Sequence, residues 1–519
     1  MKKKLLILSL ITVFVLSMAA CGGGGSDKSE KTELSVIDGE WYGLDVFQLD
    51  STAGAQALNA SSLFQWNPET NTVEDNVCTD WKVSKDGKTV TFNVPEGMKY
   101  STGEQVEPED VVASIEHGLK VSPYADGYSN IKSMDVEGRQ VTLHLSQFRS
   151  DMQYYLCAGF VAVIDKDELD SMNDKKLMWG CHPYGMYALA EDGYVSGSEV
   201  KLVRNDGYKC QNPLVENQGP GHFETISVRF NVEPFTQTEE LKSGAVDIIM
   251  SLENGDQKID LEDDDSVVLV DTTYPNIDYF EMNTDSPVFS DINVRKALAL
   301  SIDRDGLAEV MDGVIAPAYS MIYDTVQNFS ADAKEWFEKN LANNPEQAKK
   351  LLDKAGWKDS DGDGIREKDG KKLSFTWYAW TDATTVPEAM AGQLKKVGFD
   401  MKIEAIDWNY VYEKINSDKY DAGIEWLSWA EPILVLNGCY YDQNAPGNTD
   451  EYKAMVEDIA STVDTDERTK KIGEIQKHLF ENVNMIPIYA ELSFTAYNKD
   501  LKGFNVLKDG TAPMNDITY

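Results

Sequence analysis

Asp86-Gly-Lys-Thr-Val-Thr-Phe-Asn-Val94, then Gly97-Met-Lys-Tyr-Ser-Thr-Gly103, then Glu107-Pro-Glu-Asp-Val-Val-Ala-Ser114 is the stretch from which the fold is read. Val90, Phe92 and Val94 alternate with polar residues, the period of a half-buried strand. Gly103 supplies a turn. Pro108-Glu-Asp opens a helix: proline sits where a missing N–H costs nothing, and the acids lie at the positive end of the dipole. Val111, Val112, Ile115 and Leu119 then share one apolar face.

The same grammar recurs outward from this stretch. Val141, Leu143 and Leu145 alternate, as do Ile226, Val228 and Phe230. Asn344-Pro345-Glu-Gln347 predicts a helix with asparagine as cap and proline at the first position. Ala348, Leu351, Leu352 and Ala355 give it one face, and Gly356 ends it. Pro387 to Gly398 predicts a similar short helix, and Val294, Ala297, Leu298 and Ile302 mark another. Strands and helices mixed throughout 519 residues imply an α/β protein of at least two lobes.

Composition narrows the partners. Acidic residues number 88 against 48 basic ones, a formal net charge of −40. A field of that sign repels phosphate backbones and anionic headgroups, so nucleic acid is excluded as a partner. Cys21, Cys78, Cys157, Cys181, Cys210 and Cys439 are scattered without C-x-x-C spacing, so no zinc site is suggested. With Cys21 set aside, five remain, and an odd number leaves at least one free or paired outside the chain.

The amino terminus names a compartment. Met1-Lys-Lys-Lys4 is a basic leader start, and Leu5 to Ser17 is an apolar run too short to span a bilayer. Met18-Ala19-Ala20-Cys21, followed by four glycines, resembles the bacterial lipobox, in which the cysteine thiol is diacylated and becomes the first mature residue. Residues 1–20 are then a lipoprotein signal peptide and residues 21–32 a flexible tether. Removal of three lysines and no acids takes the charge from −40 to −43. The expected location is extracytoplasmic, anchored to the cell membrane by lipidated Cys21.

Asp86–Val94, Gly97–Gly103 and Glu107–Ser114 look like the signature region of the family 5 extracytoplasmic solute-binding proteins, the oligopeptide, dipeptide and nickel-binding family of ABC importers. Further matches follow in family order: Pro183-Tyr-Gly-Met-Tyr187, Val200-Lys-Leu-Val-Arg-Asn205 and Leu241-Lys-Ser-Gly-Ala-Val-Asp247. Then come Met282-Asn283, Asp291-Ile-Asn-Val-Arg-Lys-Ala-Leu298 and Ile302-Asp-Arg304. Ala348 to Glu367 and Ala391 to Asp407 complete the series. The resemblance covers essentially the whole mature chain. It implies a two-lobed periplasmic-binding clamshell, type II-like, with an additional α/β domain. Lobe one would be residues 33–62, 180–273 and 489–519, the extra domain 63–179, and lobe two 274–488. Ligand would be enclosed between lobes that close by hinge motion.

The site candidates follow from the same comparison. In Asp421-Ala-Gly-Ile-Glu-Trp-Leu-Ser-Trp-Ala-Glu-Pro432, Trp426 matches a family tryptophan. Peptide binders of the family place an aspartate three residues on, where it holds the ligand's free amino group; here that position is Trp429. The nearest acid is Glu431, so either Glu431 takes the ammonium or the ligand has none and Trp429 offers a stacking face. Asn283, expected at a strand end between the lobes, and Trp41 and Tyr42, expected where the first strand meets the cleft, are further ligand contacts, with Tyr440 beyond the tryptophans. Trp41 and Tyr42 are equally well read as core. Asp291 caps its helix, and Arg295 is expected to pair with a carboxylate.

Other chemistry finds less support. Asp359-Ser-Asp361-Gly-Asp363-Gly364 resembles the start of a calcium loop, but its twelfth position is Gly370 and Glu367 stands at the ninth, so an Asp/Gly turn is the expectation. The histidines, His117, His144, His182, His222 and His478, show no ligand spacing. There is no G-x-S-x-G elbow and no phosphate-binding loop. The sequence thus implies no enzyme, no metal and no cofactor. It implies a monomeric binding protein that delivers a small solute, a peptide first of all, to an ABC permease. An oligosaccharide or metal-complex binder on the same scaffold, a secreted carbohydrate-active enzyme and a surface sensor are the alternatives.

Overall fold

The computed structural model describes residues 31–519 apart from 50, 273–275, 312, 382–383, 418 and 440–446. The leader, Cys21 and Tyr440 lie outside the described residues. The opening stretch folds as its pattern requires: Thr89–Asn93 is a strand with Val90 and Phe92 buried, and Pro108–Val121 is a helix burying Val111 and Ile115. Asp110 reaches back to accept the Glu107 N–H at 2.8 Å, which fixes the helix start. Asn344 caps Pro345–Lys354 through the Gln347 N–H at 3.1 Å. Gly244, at φ 74°, ends Pro234–Ser243 in the left-handed conformation that glycine adopts without strain.

Two large sheets organise the chain. The first has seven strands. Glu33–Ile37 runs parallel to Thr225–Arg229 and to Ile248–Ile249. Phe494–Asn498 runs antiparallel to both Ile248–Ile249 and Val267–Asp271. The last of these therefore points the same way as the parallel set, and all four strands end at the edge from which the chain leaves for the second sheet.

The second sheet has six strands and is entered at Asn276–Met282. Ala422–Ser428 and Met485–Glu491 flank that strand in antiparallel register, and Ser374–Trp380 runs parallel to Ala422–Ser428. Asn276, Ser428, Trp380 and Glu491 consequently lie on the edge facing the first sheet, while Met282 and Ala422 lie on the far one. The chain crosses between the sheets twice, and the crossings are tied together by the Thr272 N–H on Ser493 O at 2.8 Å. Two adjacent crossings are what a hinge between lobes requires.

Each sheet has its own buried apolar cluster. The cluster under the first sheet runs without a break into residues between 63 and 179, joining Leu34 and Val36 to Val90, Phe92 and Val111. Within that segment four strands form a further sheet, in the order Thr79–Val83, Thr89–Asn93, Gln140–Leu145 and Ile131–Glu137. Cys78, Cys157, Cys181 and Cys210 are free and buried, and Cys439 is buried as well.

Candidate functional site

The strand Ala422–Ser428 delivers the two tryptophans to the edge of the second lobe that faces the first. Trp426 is 43% exposed. Trp429, one residue past the strand, packs partly against the second core and meets Tyr124 edge-on, with ring centroids 5.5 Å apart and planes at 85°. Tyr124 is itself stacked on Tyr155 and tilted against Phe160. An aromatic ridge built from residues 124–160 thus touches the second lobe at Trp429. Ala430 and Leu434 continue the contact by packing against the first lobe's core.

Glu431 follows, and its carboxylate is already engaged. It is 2% exposed, caps the helix Pro432–Gly438 by accepting the Leu434 N–H at 3.1 Å, and accepts the Ser150 hydroxyl at 3.4 Å. Burial, with the Asp151 charge adding to it and Arg468 opposing, pushes its pKa to about 8. Asp151 is also raised by burial, against the pull of Arg149. Arg149 forks onto Asp151 at 2.8–3.2 Å and reaches Glu457 of the second lobe at 3.0 Å. The segment Arg149–Asp151 therefore clamps the second lobe with one hydroxyl and one ion pair.

On the first lobe, a cavity of about 520 Å³ opens at the ends of the parallel strands, lined by Asp38, Glu40, Asn231, Glu233, Ser251 and Glu253 among others. The ends of parallel strands are where α/β sheets receive ligands. Asp38 accepts the Gly39 and Ala55 N–H groups at 2.8 and 2.7 Å; burial outweighs these bonds and pushes its pKa to about 6. Tyr42 is 60% exposed, whereas Trp41, 1% exposed, belongs to the core.

Asn283 occupies a different place. Its N–H donates to Asp421 O at 2.9 Å, at the beginning of the strand whose end carries Trp429. Seven residues of strand separate the two ends, about 20 Å. Its amide Nδ2 donates to Tyr420 O and its Oδ1 accepts the Asp285 N–H, so the side chain shapes a turn over a small distal cavity of about 330 Å³. The expectation that it lies between the lobes fails because the sheet is entered at Asn276 and left at Met282, which carries the next residue to the far edge. Arg295 is likewise satisfied otherwise than expected: it donates to Asn482 O and Phe289 O, main-chain acceptors rather than a carboxylate. Asp291 does cap its helix, through the Asn293 N–H.

His182 is held by Glu168 at 2.5 Å and His117 by Asp45 at 2.7 Å, each inside the first lobe and the segment joined to it. The Asp359 loop takes a tighter path than its spacing predicts. Glu367 folds back, accepting from Ser360 at 2.9 Å, and carboxylate oxygens of Asp359, Asp361, Asp363 and Glu367 lie within 4.8 Å of one another. Tyr124, Arg149, Asp151 and Glu457 were not singled out from the sequence. Their one local signal is Arg149-Ser-Asp151, a polar pair at the start of the helix Ser150–Cys157, with Arg149 at its cap position and Asp151 in its first turn.

The model of the bacterial extracellular solute-binding proteins, family 5 (middle region), matches residues 72–446. The oligopeptide-binding protein AppA of Bacillus subtilis is 22% identical, over 97% of this chain and 96% of its own. Its structure with a nonapeptide matches at a TM-score of 0.68, over 94% of this chain and 99% of that one, with 21% identity. NikA of Brucella suis, in complex with Fe(III)-EDTA, matches at 0.77, over 93% of this chain and 99% of that one, with 20% identity. The fold and its cleft define a two-lobed solute-binding protein. The chain belongs to family 5 of the bacterial extracellular solute-binding proteins. Among the described residues no helix is long and apolar enough to cross a membrane.

Proposed function

We propose that the protein captures a peptide between its lobes outside the cytoplasm and hands it to an ABC permease, without altering it chemically. The observation that carries this reading is the aromatic edge itself: Trp426, Trp429 and Trp380 come to the rim of the second lobe that faces the first, on a chain that crosses between lobes only at a paired hinge. Flat apolar faces beside polar groups suit an extended, chemically varied ligand, with water filling unused space. Trp426, Trp429 and Tyr42 are the contacts in this reading, together with Tyr440. Glu431, Asn283 and Trp41 are given supporting roles, since each is buried and the two polar groups are hydrogen-bonded within the protein.

The same reading keeps Cys21 as the lipid anchor, a monomeric state, and the division into residues 33–62, 180–273 and 489–519, 63–179, and 274–488. Replacing Cys21 by serine is expected to release the protein from the membrane fraction. The ligand itself is tested by thermal unfolding with tripeptides to pentapeptides, nickel–histidine and oligosaccharides. A ligand at a hundredfold excess over its Kd stabilises the folded state by about 2.7 kcal/mol. A rise with peptides alone supports the reading. A rise with sugars or the nickel complex alone overturns it.

A further inference from the structure

The edges that face each other across the hinge are acidic, and among the described residues no ion pair joins their carboxylates to a lysine or arginine. On the first lobe the cavity is lined by Asp38, Glu40, Glu233 and Glu253, with no lysine or arginine in its wall. Their contacts are neutral: Glu40 accepts from the Asn231 amide at 3.3 Å and Glu253 from the Gln237 amide at 2.5 Å. Leu252, between the wall residues Ser251 and Glu253, is tied to the hinge through its N–H on Phe494 O at 2.9 Å. Beyond that crossing lies Glu491 of the second lobe, which accepts from the Asn276 amide at 2.5 Å.

Asp278 is the telling residue. It pairs in register with Trp426 on one side and Tyr489 on the other, so its side chain shares their face of the sheet. It is 4% exposed; the Tyr489 hydroxyl is the one side-chain donor that reaches its carboxyl, and its Oδ2 has no well-formed hydrogen bond among the described residues. A buried carboxyl oxygen left unpaired costs free energy that the fold does not recover internally. Apolar packing would have been cheaper at this position, and a structural salt bridge would have supplied a base. Neither is present.

We propose that the cleft is built for a cationic ligand, a peptide carrying a lysine or arginine side chain, whose positive group is received by Asp278 Oδ2 beside the indole of Trp426, with Glu491 at the rim and the acidic cavity of the first lobe opposite. This rests on the peptide reading and specifies its substrate class. A cation over the face of a tryptophan with a carboxylate behind it gains from both groups, and the gain is greatest where water is excluded. Burial, with Glu491 and Glu425 adding to it, holds the Asp278 carboxyl well above its usual range.

Isothermal titration of the mature chain with Ala-Lys-Ala, Ala-Ala-Ala and spermidine tests this. Ala-Lys-Ala is expected to bind roughly tenfold tighter than Ala-Ala-Ala. Asp278→Asn should remove the preference. Glu491→Gln, at the exposed rim, should weaken the preference as well, which keeps the test open if the buried variant does not fold. Equal affinities for the two peptides, or an unchanged preference in both variants, overturn the inference while the peptide reading stands. Spermidine bound in an Asp278-dependent way with neither peptide bound overturns the peptide reading and supports the cation site. Binding of none of the three overturns both.

Discussion

Tyr124 and Trp429 meet edge to face at 5.5 Å, one from the segment that shares the first lobe's core and the other from the second lobe. The positive edge of one ring lies against the negative face of the other, a geometry worth about 0.5–1.5 kcal/mol beyond the area it covers. Because the partners pack against different cores, any motion that separates the two sheets has to break this contact, and the contact then biases the equilibrium toward the closed form.

Trp429→Ala is therefore expected to weaken peptide binding by roughly 3- to 10-fold, with little change in global stability because the residue is only partly buried. Trp429→Phe should recover most of the loss. Titration calorimetry gives the affinity, and small-angle scattering of the ligand-free protein should show a larger radius for the alanine variant. An unchanged affinity in Trp429→Ala would mean that the ring contributes to neither ligand nor closure.

Arg149 invites a comparison of two ion pairs made by one guanidinium. Its partner Asp151 has 3% side-chain exposure and Glu457 has 54%. Arg149→Ala strands a buried carboxylate beside Glu431, and such a loss costs about 3–5 kcal/mol. Glu457→Gln removes only the solvated end and should cost under about 1 kcal/mol. Urea unfolding of the two variants separates these expectations.

Gly185, in the Pro183–Tyr187 motif, is fixed by a close approach of backbones. A Cβ there would lie 2.1 Å from Asn59 O and 2.3 Å from Asn59 C, and main chain cannot move aside as a flexible side chain can. Gly185→Ala is expected to destabilise the protein by about 3 kcal/mol or more. Gly392, inside the helix Thr385–Lys395 with nothing within 4 Å of its added Cβ, provides the contrast. Gly392→Ala should stabilise by about 0.5–1 kcal/mol. Denaturant midpoints measured side by side check both signs.

What could be read from the sequence was whatever local chemistry decides. The strand at Thr89–Asn93 and the helices at Pro108 and Pro345 follow from alternation, proline placement and caps, all set within a few residues. The tryptophan edge followed from the family pattern around Trp426. Asn283 was misplaced because strand direction is a long-range property: which end of Asn276–Met282 faces the first lobe depends on where the chain crosses, not on the strand itself. The sequence leaves Glu431 as one of two alternatives for the ligand's ammonium because its covering residue, Ser150, is 281 positions away. Arg295 was assigned a carboxylate because carboxylates are numerous, whereas a planar guanidinium also fits the carbonyls at a helix end.

The pair Glu431 and Asp151 carries a pH signature whose sign is fixed by burial. The Glu431 pKa rises from 4.5 to about 8 in the folded protein, so the native state holds a proton that the unfolded chain releases. Stability from this group is fully present below pH 4.5 and is lost as pH rises toward about 8. The size is on the order of a few kcal/mol. Ordinary carboxylates are already ionised by about pH 6, so a decline in the urea midpoint between pH 6 and 8 isolates the raised groups. Glu431→Gln should flatten part of that decline and raise stability at pH 8, with the remainder shared among the other carboxyls that burial raises, Asp38, Asp151 and Asp278. A midpoint for Glu431→Gln that falls as steeply as that of the native protein would show that Glu431 is ionised in the folded protein.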